Sequence, residues 1–388
     1  MQLMSTPVRA RALPAAILAL TFLAGGSGTV AANAVAAAPT AAGWDAAQQR
    51  QVAGAGLMSE SGGSFNGAGR LSATQANAAM AALASRLQAA ANEHAGTLQG
   101  PEEEPSAGGE PATPSEPSTT GTPAASAPPT TPVAHTSQSQ VTVVTFDRML
   151  VEQLGLTSVA AHVQAVAAGA DLHPPSYFGT EVAARFLELR YEHPVGSQRL
   201  DIFPNEQITR AEAAWSLAKV MELGDWSVSS AQEALSAFEL PQMSAAQRQA
   251  LQIAVSRIGY PYVWGGTTDN TADGLEHGGF DCSGFAWRVF KVSGLSWGDQ
   301  ITGRTAAEQA GEIPQSQRLA MSQLEPGDLL FFGSAHFNSR ATNGNVIHEG
   351  IYLGDNWVIH SSGQGVYVLP LSGSWLGSSF AWGRRVIR

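Results

Sequence analysis

From about residue 96 to residue 140 the chain is written almost entirely in Pro, Ser, Thr, Gly and Glu, with Glu102-Glu103-Glu104 and Pro128-Pro129 among few apolar side chains. Such a stretch has too little apolar surface to offset the conformational entropy of ordering, so it is expected to be a linker with no core of its own. A chain of 388 residues is long enough for two folded units, and this linker sorts its patterns to either side. Residues 41–95 carry one helix signal, with Ser72 or Thr74 as N-cap and Met80, Leu83 and Leu87 on one face. Residues 141–242 carry three more: Leu150, Leu154 and Leu156; Val182, Phe186 and Leu189; Ala213, Leu217 and Val220. From residue 243 the vocabulary changes to helices followed by short strands.

The N-terminus sets the compartment. Arg9 and Arg11 precede an apolar run from Ala12 to Ala24, and small-residue sites at Ala32-Asn33-Ala34 and Ala34-Val35-Ala36 follow, which is the layout of a secretory signal over residues 1–36. The run is too short to span a bilayer, so no stable membrane insertion is expected after signal removal. The formal charge of −11, more negative still without the two signal arginines, argues against nucleic acid or an anionic membrane surface as partner. Exported proteins form disulfides, and the one cysteine, Cys282, has no partner within its own chain. It is therefore inert in a core, bonded between chains, or reactive.

Its surroundings favour reactivity. Gly279-Phe280-Asp281-Cys282-Ser283-Gly284-Phe285 runs into a helical pattern with Phe285, Val289 and Val292 facing inward, after an amphipathic stretch from Ala245 to Ile258. At a helix N-terminus, unpaired N–H groups and the dipole favour a thiolate. A thiolate that attacks an amide needs a base that later protonates the leaving nitrogen, and histidine titrates in the right range. His348 and His360 lie on two strand-like segments around the turn Gly354-Asp355-Asn356, so a hairpin would set them side by side, one as base and one as orienter. His348-Glu349 also opens like a zinc-protease helix motif. Tyr352 stands where the second histidine is required and the pattern is strand, so no metal and no other cofactor is expected. Strand alternation turns Glu349 to the face opposite His348. Trp264 and Trp287 are expected in the core, His277 and His336 in loops.

Two resemblances grow from these motifs. Residues from about 247 to 388 hold, in order, Tyr262-Val263-Trp264-Gly265-Gly266, Asp281-Cys282-Ser283-Gly284, Arg304-Thr305-Ala306-Ala307-Glu308-Gln309, Pro326-Gly327-Asp328-Leu329 and His348-Glu349-Gly350-Ile351-Tyr352. In this the segment resembles the NlpC/P60 family of papain-like cell-wall cysteine peptidases. The resemblance implies an α+β fold over residues 243–388, an antiparallel sheet packed on helices, with Cys282 as nucleophile, His348 as base and His360 as the third, orienting residue. It also implies that Tyr262, Asp281 and Ser283 line the subsite for the free amino end of a short wall peptide. Three features depart from the family pattern: a long segment from Thr267 to Phe280, a polar insert from Gly333 to Ile347, and Glu349 where a small apolar residue is common.

The second resemblance lies in Phe203-Pro204-Asn205-Glu206-Gln207-Ile208-Thr209-Arg210-Ala211-Glu212-Ala213-Ala214, which is similar to the signature of S-layer homology repeats, with weaker echoes at residues 74–79 and 180–184. It implies a mostly helical S-layer homology-like module over residues 141–242, and a weak copy over 41–95, that holds cell-wall polysaccharide, with Arg210 touching an anionic glycan. The residues leave a plainer reading open, in which Thr209 and Glu212 close a capping box and Arg210 is a surface residue.

The expected protein is a secreted, cell-wall-associated peptidoglycan hydrolase whose partner is the stem peptide. The resemblance implies a cysteine endopeptidase cutting after γ-D-glutamate, before the diamino acid. Two rival readings are a polysaccharide-binding protein with a degenerate catalytic domain and a cysteine amidase or acyltransferase acting on another amide.

Overall fold

The computed structural model describes residues 43–60, 64–98, 141–191, 193–269 and 278–388. The stretch expected to be a signal, most of the stretch expected to be a linker, and His277 lie outside them. The first part consists of helices α1 (Ala46–Gly54), α2 (Ala73–Leu98), α3 (Val143–Gln153), α4 (Thr157–Gly169), α5 (Phe178–Phe186), α6 (Arg210–Glu222) and α7 (Asp225–Ser236). Three of these begin on side-chain caps, as the sequence chemistry dictates. Ser72 Oγ accepts the N–H of Gln75 at 3.2 Å, Thr142 Oγ1 that of Thr145 at 3.3 Å, and Thr209 Oγ1 that of Glu212 at 3.1 Å.

The extended residues just before these three helices close a ring of backbone bonds. Leu71 donates to Ile208 O at 3.0 Å, Ile208 to Val141 O at 2.9 Å, and Val141 to Leu71 O at 3.2 Å. The helix starts joined in this way lie at residues 71, 141 and 208. The echo read at 180–184 is not one of them: Thr180 lies within α5 and caps nothing.

Two further expectations for α6 need correction. Glu212 does not reach back to close a box; its Oε1 bonds His193 Nε2 at 2.7 Å. Arg210 is no surface residue. It is 6% exposed, donates to Phe65 O at 2.9 Å and to Ser59 O at 2.6 Å, and lies 4.7 Å over the Phe65 ring. The guanidinium is thus engaged largely by its own chain.

The second part contains α8 (Ala245–Val255), β1 (Thr267–Thr268), β2 (Gly279–Phe280), α9 (Cys282–Val292), α10 (Ala306–Gly311), β3 (Arg318–Leu319), β4 (Leu329–Phe332), β5 (His348–Gly354), β6 (Trp357–Ser362), β7 (Gly365–Pro370), α11 (Trp375–Ser379) and β8 (Phe380–Arg384). Six strands form an antiparallel sheet in the order β3-β8-β4-β5-β6-β7. A capping box of Ser244 and Gln247 starts α8, whose Ala250, Leu251, Ala254 and Val255 are buried against the core shared with α9. Along α9, Phe285 and Val289 point inward as expected, whereas Val292 is 37% exposed because the helix ends there.

Alternation along the strands builds two layers. Leu329, Phe331, Ile351 and Ile359 join the main core, while Leu330, Phe332 and Val358 pack with Leu376 of α11 on the other face. Asp355 and Asn356 between β5 and β6 have φ of 43° and 74°, the two left-handed residues that a tight hairpin turn requires. Trp264 is not in the core: it is 65% exposed. Trp287 is partly buried against it, and His336 is exposed on its loop. The two parts meet where α5 packs on β7: Arg185 donates to Gly259 O at 3.1 Å and to Gln364 O, and Phe203 sets its edge on Tyr260 at 5.0 Å.

Candidate active site

Asp281 decides where α9 begins. Its Oδ1 accepts the N–H of Gly284 at 2.6 Å, which makes Cys282 the first residue of the helix. Helix α9 packs against β5, and the backbone N–H groups of Ser283 and Glu349 act on the Cys282 thiol from the first turn of the helix and the start of the strand. His348 opens β5 opposite Phe332, and the β5–β6 hairpin brings His360 beside it. His348 Nε2 and His360 Nδ1 are 2.9 Å apart, with the rings nearly perpendicular at 87°. His348 and His360 therefore lie side by side, and α9, which opens on Cys282, packs against the two strands that carry them.

Aromatic rings wall in the two imidazoles. Phe332 lies 5.8 Å from His348, Tyr367 lies 4.3 Å from His360, and Trp375 lies 5.2 Å and 5.9 Å from the two. Trp375 is 40% exposed and forms the wall that faces solvent. It was missed in the sequence, where its only signal is one aromatic residue in a run of serines and glycines.

Burial dominates the electrostatics. It pushes the Cys282 thiol up to about 12, with the charges of Glu349 and Asp281 adding to the rise and the two N–H donors opposing it. This reverses the thiolate expected from a helix N-terminus: removing the sulfur from water outweighs the dipole. Burial also lowers His348 to about 3, and burial together with His348 holds His360 well below the usual imidazole range. At neutral pH the resting site holds a thiol and two neutral imidazoles.

Asp281, which the resemblance places in the subsite, is also tied into the protein around it. Its carboxylate also accepts from Gly265 N–H at 3.0 Å, from Ser283 Oγ at 3.2 Å and from Arg304 at 2.7 and 3.0 Å, so its oxygens are occupied within the protein. Arg304 ties Asp281 to Ser283, donating to the serine Oγ at 3.0 Å; the sequence reading had placed it in a motif without giving it a role. Tyr262 is half-buried beside Phe280 and borders the crevice between the two parts of the molecule, with Arg190, Asp201 and Gln364 on its walls. Arg210 is elsewhere, in the helical part. Among the described residues no group of three or more His, Cys, Asp or Glu is arranged to hold a metal ion, and no helix is long and apolar enough to cross a membrane.

Several known proteins are similar to the second part of the chain. A probable endopeptidase of Mycobacterium tuberculosis is 34% identical over 140 residues, which are 35% of this chain and 30% of that protein. The γ-D-glutamyl-L-lysine dipeptidyl-peptidase of Bacillus subtilis is 29% identical over 138 residues, 35% of this chain and 40% of that protein. The chain thus spans less than half the length of these curated relatives. Among solved structures, an NlpC/P60 family protein from Bacillus cereus is 27% identical, covering 39% of this chain and 43% of its own, with a TM-score of 0.29. The match to the NlpC/P60 family itself runs from residue 259 to residue 385, the stretch that carries Cys282, His348 and His360, and these residues form an NlpC/P60 family domain.

Proposed function

We propose that this protein is a secreted, cell-wall-associated peptidoglycan hydrolase, a cysteine endopeptidase that cuts an amide in stem peptides between γ-D-glutamate and the diamino acid. The observation that carries the reading is the 2.9 Å contact of His348 with His360 on strands packed against α9, the helix that opens on Cys282. The bond assignment draws on the dipeptidyl-peptidase relative.

In this mechanism the sulfur bonds to the scissile carbonyl carbon as its proton passes to His348, which starts neutral and so can accept it. His360 holds the His348 ring in place and shares the charge that forms. The N–H of Cys282 takes the developing oxyanion. His348 then returns the proton to the leaving amine and activates the water that hydrolyses the thioester. Tyr262 and Ser283 border the peptide, over the Arg304–Asp281 pair. The S-layer homology-like reading of the helical part is supported by its ring of three helix starts, and any docking to wall polysaccharide there uses residues other than Arg210.

The test is mass spectrometry of purified peptidoglycan fragments incubated with the protein and with its Cys282→Ala form. Release of a dipeptide by the wild type alone is expected. Release of a different fragment would move the reading to an amidase, and activity retained by the alanine form would sink it.

A further inference from the structure

Glu349, next to His348, is the one acid around this site whose charge has no counterpart. Among the described residues it is completely buried, and neither of its carboxyl oxygens has a hydrogen-bond partner. The register sets it opposite Phe331, on the face of β5 that joins the core under α9, the helix that opens on Cys282. The charged groups that act on it are Asp281 and Cys282 at the start of α9, Arg304 before α10, Glu312 after α10, and Arg384 of β8. Both arginines are already matched, Arg304 with Asp281 at 2.7 Å and Arg384 with Glu312. No positive charge is left over for Glu349.

A buried carboxylate without a partner is so unfavourable that the group keeps its proton instead. One other buried acceptor near the start of α9 is also unpaired. Gln309, buried between α9 and α10 with its Nε2 on Ser283 O at 3.2 Å, has an Oε1 that no donor reaches.

We propose that Glu349 is a positioning residue for Cys282 that works by holding its proton: the buried pair admits one negative charge, and the sulfur carries it only while Glu349 is an acid. The proposal rests on the reading of Cys282 as nucleophile. It makes the two ionisations a coupled system in which the first proton lost resists the second. Burial raises the carboxyl well above its ordinary range, and the Glu349 charge is second only to burial in raising the thiol, so both groups respond in the direction required. Rising pH then does not simply favour the thiolate. Once Glu349 ionises, its charge presses against that of the sulfur.

The chain has one cysteine, so alkylation by iodoacetamide reads Cys282 alone. Rates for wild type and Glu349→Gln, measured from about pH 6 to about pH 10, are expected to coincide at the acid end and then separate, with the Gln form roughly tenfold faster at the alkaline end, the equivalent of about one pKa unit. Glu349→Met, similar in volume and without a proton to lose, is expected to follow the Gln form. Superimposable curves for all three proteins would overturn the proposal, as would a Met form that tracks wild type. A wild-type melt supplies an independent check: a carboxyl with a raised folded pKa makes stability fall as pH rises above its unfolded value of 4.5, so a fold that loses nothing between pH 4.5 and neutrality relative to Glu349→Met counts against a held proton. Alkylation needs no wall peptide. Failure to cleave peptidoglycan would therefore count against the proposed function while separated alkylation curves still stood for Glu349.

Discussion

Thr209, Arg210 and Glu212 open α6, and Asp281, Cys282 and Ser283 open α9; both are capped helix N-termini that stand out in the sequence. At α6 the signature residues are consumed by the fold: Thr209 caps, Arg210 binds two carbonyls, and Glu212 binds His193. At α9 the cap is consumed in the same way, but polar groups around it stay open. Among the described residues, His360 Nε2 and both oxygens of Glu349 have no hydrogen-bond partner. Unpaired buried atoms also occur in the helical part, at Glu181 Oε1, Arg190 Nε and His193 Nδ1, so it is the pair of facing imidazoles on the strands under α9, more than the orphans themselves, that sets this helix start apart. A recognisable motif whose valences are all met inside the chain marks architecture.

The comparison breaks most sharply at the histidine pair. His360→Ala removes the partner of His348 Nε2, and turnover of wall peptide is expected to fall about a thousandfold, with His360→Asn recovering part of it by restoring a side-chain hydrogen bond. Peptidase rates in the alanine form equal to wild type would make His360 an ordinary buried side chain. Arg210→Ala has the opposite signature. It removes two charge-assisted hydrogen bonds and a ring contact, so urea unfolding is expected to show a loss of about 3 kcal/mol while turnover per folded molecule stays unchanged. A stable Arg210→Ala protein that no longer bound wall polysaccharide would return Arg210 to the role first read from the sequence.

What was legible in the sequence was local. The hairpin that pairs His348 with His360 follows from strand alternation and one turn, and the start of α9 follows from one cap. Alternation also turned Glu349 to the face away from His348, though not what it would meet there. The ring of Leu71, Val141 and Ile208 brings together segments far apart in the chain, and Val141-Thr142 shares too little with Ile208-Thr209 to be found by spacing. The echo at Thr180 misled because threonine, glutamate and alanine are equally at home inside a helix. The ionisation of Cys282 was misread for a related reason: the helix dipole belongs to a local element, whereas burial comes from everything packed around it.

Trp375 is where burial at the site can be adjusted without touching a reacting group. It is the solvent-facing wall of the imidazole pair, and Trp375→Ala lets water reach rings that are now held dry. Burial is what lowers His348 to about 3, so relieving it raises the folded pKa toward the ordinary 6.5. A base must be neutral to accept the proton of the thiol, so the acid limb of kcat/KM is expected to move upward by roughly one pH unit, and by less in Trp375→Phe. Stability follows the same sign. With a folded pKa below the unfolded one, His348 favours the fold above pH 6.5, and that contribution is lost as pH falls from 6.5 toward 3. Narrowing the gap flattens the loss, so melting temperatures of Trp375→Ala should depend less on pH across that window than those of wild type. A lower melting temperature with an unmoved acid limb and an unchanged pH slope would leave Trp375 as packing alone, and the openness of the site would then have to be traced to the sulfur and Glu349 instead.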